Sequence, residues 1–185
     1  METLSYQDVN RHVIDRCREG DNRAQYELYK LYSKAMFNVS MRITNDYAEA
    51  EDVLQEAFIS AFKNLHSYKA EASFGSWLKK IVVNAAINAV RKRKSELVPL
   101  EERTVGDVPD EVYEDETEWQ VEKVRRAIQK LPDGYRVVLS LYLLEGYDHA
   151  EIGEIMGITE STSKSQYSRA KKKLLEIMRE PQFAA

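Results

Sequence analysis

The sequence predicts an all-α fold of two small helical domains joined by an acidic linker, the C-terminal one a four-helix domain with a helix-turn-helix. Three observations predict it. The 185 residues include four Pro and seven Gly, too few for a turn-rich β fold. No run alternates apolar and polar residues as a half-buried strand does, whereas both flanks repeat apolar residues at helical spacing. Charge is segregated: residues 1–95 hold 15 Lys and Arg against 12 Asp and Glu, residues 96–119 hold 1 against 10, and residues 120–185 hold 11 against 9. The net charge of −4 thus hides two mildly basic blocks either side of a strongly acidic one.

The first block, 1–95, predicts four helices. The first runs from about Tyr6 to Arg18, with Val9, Val13 and Cys17 on one face and Gly20 as its stop. Asp21 is a good N-cap for the second, which continues to about Ile43 with Tyr26, Tyr29, Met36 and Val39 as its core stripe. Asp46 opens the third, and Glu49 three residues on makes a D-x-x-E variant of the capping box. The fourth covers about Ser76 to Lys94, after the short loop HSYKAEAS. Residues 96–119 carry Pro99 and Pro109 without a sustained apolar period, and read as a linker.

The second block, 120–185, predicts four more helices. The first is Gln120 to Lys130, and Pro132 and Asp133 start the second, which stops at Gly146. Asp148 caps the third, with Glu151 three residues on, and Gly157 ends it. Thr159 caps the last, which runs from Glu160 to about Arg179. A helix, a tight glycine turn and a second helix make the helix-turn-helix pattern.

Composition narrows the function. Hydrophobic residues are 43% of the chain, enough for packed cores. No apolar run approaches the ~20 residues needed to cross a bilayer, and the first residues have no basic segment leading into an apolar one, so a cytoplasmic protein without membrane insertion is expected. Cys17 is the only cysteine, which rules out an intrachain disulfide. His12, His66 and His149 fall on different elements, so no metal-ligand spacing exists. His149 reads as a surface residue in the first turn of its helix. The glycines are dispersed and build no phosphate-cradling loop. Neither a metal nor a cofactor is expected, and the chain does not read as an enzyme.

Three helix faces carry chemistry instead. On the last helix Tyr167, Ala170, Leu174, Ile177 and Met178 fall on one side, while Ser161, Ser165, Arg169 and Lys172 fall on the other, flanked by Lys164, Lys171 and Lys173. Small hydroxyls allow close approach to a groove, Arg takes guanine bidentately and Lys neutralises phosphate. On the fourth helix Trp77, Lys80, Asn84, Asn88 and Arg91 lie opposite Leu78, Val82, Val83, Ala86, Ala89 and Val90. An aromatic among cations and amides suits single-stranded DNA, which stacks bases and lays its phosphates along positive charge; a Trp capping the core edge is the structural alternative. On the third helix Val53, Leu54, Ala57, Phe58, Ala61 and Leu65 share one face, and Asp52, Gln55, Glu56 and Lys63 surround an isolated Ile59 on the other. An apolar residue ringed by polar ones has the form of a protein-interface anchor.

The segment LPDGYRVVLSLYLLEGYDHAEIGEIMGITESTSKSQYSRAKKKL, through Leu131, Pro132, Arg136, Glu145, Gly146, Glu151, Ile152, Gly157, Thr162, Lys164, Ser165, Arg169 and Ala170, resembles the C-terminal domain of an extracytoplasmic-function (ECF) sigma factor of bacterial RNA polymerase. The resemblance implies that the last helix reads the −35 promoter element, with Lys164, Ser165, Ser168 and Arg169 as DNA contacts, and the polar face of the helix adds Ser161, Thr162 and Lys172 as candidates. Ser163 stands where the family usually has Val, and Gln166 where a second Arg is common. SFGSWLKKIVVNAAINAVRKR is similar to the family segment that melts and reads the −10 element, through Phe74, Trp77, Leu78, Ile81, Asn84 and Arg91; Val82 replaces the usual Ala and Asn88 a frequent Asp. This implies DNA contact by Phe74, Trp77, Asn84 and Arg91, to which the polar face adds Lys80 and Asn88, and capture of a flipped-out −10 base by the loop from about His66 to Ser73. AEDVLQEAF is similar to the segment that docks on the β′ clamp helices, which implies a docking patch of Glu49, Asp52, Gln55, Glu56 and Ile59.

The expected function is therefore a sigma factor that binds core RNA polymerase and directs promoter-specific initiation through −10 and −35 recognition and strand opening. An anti-sigma factor is an expected partner. The resemblance also implies that the acidic linker threads toward the RNA path, with a solvated tether as the other reading. Two rivals are a stand-alone helix-turn-helix regulator, which leaves the Trp77 face unused, and a polymerase-binding adaptor, which leaves Arg169 and its neighbours unexplained.

Overall fold

The computed structural model describes residues 10–96, 116–180 and Phe183. Those residues form eight α-helices and one turn of 3-10 helix, with no strand among them: α1 Arg11–Arg18, α2 Asn22–Thr44, α3 Tyr47–Lys63, the 3-10 turn Leu65–Ser67, α4 Phe74–Glu96, α5 Glu116–Gln129, α6 Asp133–Leu143, α7 His149–Met156 and α8 Glu160–Met178. The expected all-α fold is what the chain adopts. It divides into two compact units, Met1–Arg93 and Lys94–Ala185. Most of the acidic segment, 97–115, lies outside the described residues, as does the Tyr6–Val9 part of the expected first helix.

Local chemistry fixes the joints of the first unit. Gly20, at φ 87°, takes the left-handed turn after α1. Asp21 then caps α2 by accepting from the backbone N–H groups of Arg23 at 2.8 Å and Ala24 at 3.3 Å. Arg16 Nε donates to the same carboxylate at 2.9 Å and holds it below its usual pKa. Asp46 caps α3 by accepting from the Glu49 N–H at 2.9 Å, while the Glu49 carboxylate reaches to Arg93 on α4. Ser73 Oγ accepts from the Ser76 N–H at 3.1 Å, so α4 starts at Phe74, two residues before the expected Ser76.

The expected core stripe of α2 is half wrong. Met36 and Val39 are buried, but Tyr26 is 64% exposed and Tyr29 37%. Ala24, Leu28 and Ile43 take the inward positions, where α1 and α3 pack closely. The tyrosine rings lie at the rim instead, Tyr29 edge-on to Phe58 at 4.9 Å. Cys17 is buried, which pushes its thiol up to about 11 and keeps it protonated.

In the second unit, α8 packs on α5, α6 and α7. Ala127, Leu131, Leu139, Ala170, Ile177 and Phe183 form the centre, edged by Tyr167, Leu174 and Met178. Arg136 is only 3% exposed; its Nη1 donates to the Leu131 carbonyl at 3.0 Å and its Nη2 meets Asp133 at 2.6 Å. A buried guanidinium thus ties the α5–α6 corner to the start of α6. The capping box of α7 is complete, Asp148 accepting from the Glu151 N–H at 2.8 Å and Glu151 accepting from the Asp148 N–H at 2.9 Å.

Candidate nucleic-acid interface and docking face

The turn between α7 and α8 is set by two glycines. Gly157 sits at φ 64° and ends α7. Gly153 packs so closely that a Cβ there would lie 2.8 Å from the Ile158 carbonyl oxygen. The sequence pattern marked Gly157 but missed Gly153, because that need arises where the backbone of the following turn folds back against α7. Thr159 then caps α8, its hydroxyl accepting from the Thr162 N–H at 3.1 Å.

Ser161, Lys164, Ser165, Ser168, Arg169 and Lys172 are all exposed along one side of α8, with Thr162 half-buried in its first turn. The Thr162 hydroxyl lies 2.8 Å from that of Thr159, and Ser165 donates to the Thr162 carbonyl at 2.9 Å. Lys164 pairs with Glu160 at 2.6 Å, which raises its pKa and keeps it cationic. Lys171 leans over the Tyr167 ring at 4.7 Å.

Behind that face, Ser163 is fully buried and its hydroxyl lies 2.9 Å from Nδ1 of His149 on α7. The His149 ring stacks on Tyr142 at 4.5 Å and 13°, and meets Tyr167 edge-on at 5.6 Å. His149 is therefore not the surface residue expected from sequence; it clasps the two helices of the helix-turn-helix. Ser163, the departure from the usual Val, finds its buried hydroxyl satisfied by the same ring.

On α4, Lys80, Asn84, Asn88 and Arg91 are exposed on one face, while Leu78, Val82, Val83, Ala86 and Val90 are buried on the other. Trp77 is half-buried, its ring against Tyr68 at 5.4 Å and Phe74 at 5.6 Å. It both caps the core edge and borders the polar face. Phe74, expected as a DNA contact, has no exposed surface. It is the centre of an aromatic cluster that also holds Tyr32, at 5.3 Å.

On α3, Asp52, Gln55 and Glu56 are exposed around Ile59, which is 55% exposed. Glu49 does not share their freedom. Its carboxylate is held by Arg93 at 3.0 Å, both side chains largely covered, and Arg93 also donates to the Thr44 carbonyl at 3.2 Å. Glu49 thus fastens α3 to α4, and Asp52, Gln55, Glu56 and Ile59 are the residues of the expected docking patch that stand exposed.

Comparison with known proteins places both units. Residues 28–96 match the Sigma-70 region 2 family and residues 121–174 the Sigma-70 region 4 family. The ECF RNA polymerase sigma factor SigW of Bacillus subtilis is 30% identical over 178 residues, which cover 90% of this chain and 95% of that protein. The chain belongs to the ECF sigma factor family. The ECF sigma-E factor of Escherichia coli K12 is 28% identical over 179 residues, covering 91% of this chain and 93% of that protein. The Bartonella quintana sigma factor RpoE, solved with the anti-sigma factor NepR, shares the fold at a TM-score of 0.58 and 20% identity, over 84% of this chain and 97% of that one. This ECF sigma factor works with RNA polymerase in promoter-specific transcription initiation. Matches in both units disfavour a stand-alone helix-turn-helix regulator. No helix among the described residues is long and apolar enough to cross a membrane.

Proposed function

We propose that three faces divide the steps of initiation. Residues 1–95 dock on core polymerase and open the −10 element, 120–185 read the −35 element, and 96–119 link them. On α8, Arg169 and the hydroxyls of Ser161, Ser165 and Ser168 approach base edges, while Lys164 and Lys172 take phosphates. The helix N-terminus, with Thr162 in its first turn, adds its positive dipole end toward the duplex. On α4, Lys80, Asn84, Asn88 and Arg91 follow the separated strand. Trp77 offers a ring edge for stacking, and the 66–73 loop takes the flipped base. On α3, Asp52, Gln55, Glu56 and Ile59 dock on the β′ clamp helices, where negative charge repels DNA and attracts a basic protein surface.

One observation carries this reading. On each of the three helices the polar face is exposed, and the opposite face of that helix is buried core. Phosphodiester chemistry belongs to the polymerase in this reading, and the chain acts in the cytoplasm beside it. An anti-sigma factor that covers the DNA faces of the free chain is its regulator.

The test mixes the chain with core polymerase and a promoter panel, and follows transcripts and unpaired thymines together. Promoter-specific transcripts from an opened −10 region are expected. Absence of core binding overturns the reading. Core binding without promoter preference leaves only an adaptor.

A further inference from the structure

We infer that Arg18 on α1 is a positioning residue for the 66–73 loop, strapping it so that its tip is formed before DNA arrives. The inference rests on reading that loop as the −10 base pocket. Arg18 Nη2 donates to the Tyr68 carbonyl at 2.6 Å, across 50 positions of chain. Its guanidinium carbon lies 5.9 Å from the Tyr68 ring centroid, and Asp15 steadies the other nitrogen, Nη1, at 3.0 Å. A charged donor on a carbonyl is stronger than a neutral one, and Asp15 limits where the guanidinium can go.

Tyr68 passes the constraint on. It is 4% exposed, and its hydroxyl donates to the Ala72 carbonyl at 2.7 Å, so one side chain closes the loop over four positions. Its ring packs on Phe74 at 5.6 Å and on Trp77 at 5.4 Å, which ties the loop to the first turn of α4. Between the two closures Lys69, Glu71 and Ala72 are exposed, and Ala70 sits at φ 58°. The left-handed conformation is costly for a residue with a Cβ and persists where the surroundings over-determine it. The strap supplies that determination. A tip fixed in advance loses less freedom when it takes a base, and a pocket that cannot relax around the wrong base discriminates better. Arg18 lies before the Sigma-70 region 2 match begins at residue 28, so the match itself assigns it nothing.

The experiment uses the full chain with core polymerase. Open-complex formation is measured on a cognate promoter and on promoters with each −10 base changed singly, giving a selectivity ratio; core affinity and thermal midpoint are measured alongside. Arg18→Ala is expected to lower the ratio about threefold or more, the scale of one lost hydrogen bond, with core affinity unchanged. Arg18→Lys, with no planar group to lie over Tyr68, restores the ratio in part. Tyr68→Phe keeps the ring and removes the second closure, and lowers the ratio in the same direction. Wild-type ratios in Arg18→Ala and Tyr68→Phe overturn the inference, as does an equal loss of core affinity, which marks general damage. A wild-type protein that does not discriminate −10 bases overturns the loop reading and the inference with it. A discriminating wild type with unaffected variants overturns the inference alone.

Discussion

Arg169 and Lys172 share one exposed stripe of α8, yet their removal is expected to have different consequences. If Arg169 reads a base as proposed, Arg169→Ala is expected to cost about 1–3 kcal/mol at one −35 position while relaxing specificity there. If Lys172 takes a phosphate as proposed, Lys172→Ala is expected to weaken all sequences alike and to lower the slope of log affinity against log salt by about 0.9. Titrating cognate and altered −35 duplexes into holoenzyme at several salt concentrations separates the two, and identical profiles would contradict the division. Behind the stripe, His149 and Ser163 are expected to be coupled. In thermal unfolding, His149→Ala, Ser163→Val and the double variant should give a coupling of about 0.5–1.5 kcal/mol, and additive losses would mean that the bond contributes nothing. At this scale the sequence showed which positions of α8 face out, because helical period decides that. It could not show that Phe74 is core, that Glu49 meets Arg93 44 positions away, or that His149 has a buried partner on the next helix. Each of those depends on what another element brings to the same point.

Elements were legible where their signals are local. Asp21, Asp46, Asp148 and Thr159 all cap helices as expected, since a cap needs only its own next three residues. The inward stripe of α2 was misread, because two neighbouring helices decide which of several apolar registers fits, and Tyr serves at a rim as well as in a core. Gly153 belongs to the same class of hidden constraint. Gly153→Val pushes a side chain onto the Ile158 carbonyl and is expected to destabilise the second unit by about 1–3 kcal/mol and to weaken −35 binding with it, seen by calorimetry and duplex titration; an unchanged midpoint would show that the turn can open freely. The exposed face of α3 makes the opposite forecast. Asp52→Lys with Ile59→Ala touches no core position, so the fold should keep its stability within about 0.5 kcal/mol. Its affinity for core polymerase should fall about thirtyfold, the scale of a 2 kcal/mol anchor. Unchanged core affinity would move the docking face elsewhere.

For the molecule as a whole, the distribution of charge matters more than its sum. The blocks 1–95 and 120–185 are mildly basic, and residues 96–119 between them hold ten acids and one base. Linking two DNA faces on one chain makes the second contact intramolecular once the first forms, which raises its effective concentration. The same linkage would let a free chain settle on any DNA through its basic faces, since phosphate attraction is blind to sequence. Ten acids on the same chain would oppose that attraction wherever they come within about a Debye length of those faces, ~8 Å at physiological salt. Changing Glu101, Glu102, Asp110 and Glu111 to their amides takes the formal net charge from −4 to zero without altering either DNA face. The free chain should then bind non-specific DNA severalfold more tightly at low salt, with the gain shrinking as salt rises, while holoenzyme keeps its −35 and −10 preferences. Electrophoretic mobility shifts on a promoterless duplex across a salt series measure this directly. An equal affinity before and after the change would mean that the acids do not act on DNA, and would leave the polymerase's own basic surfaces as their target.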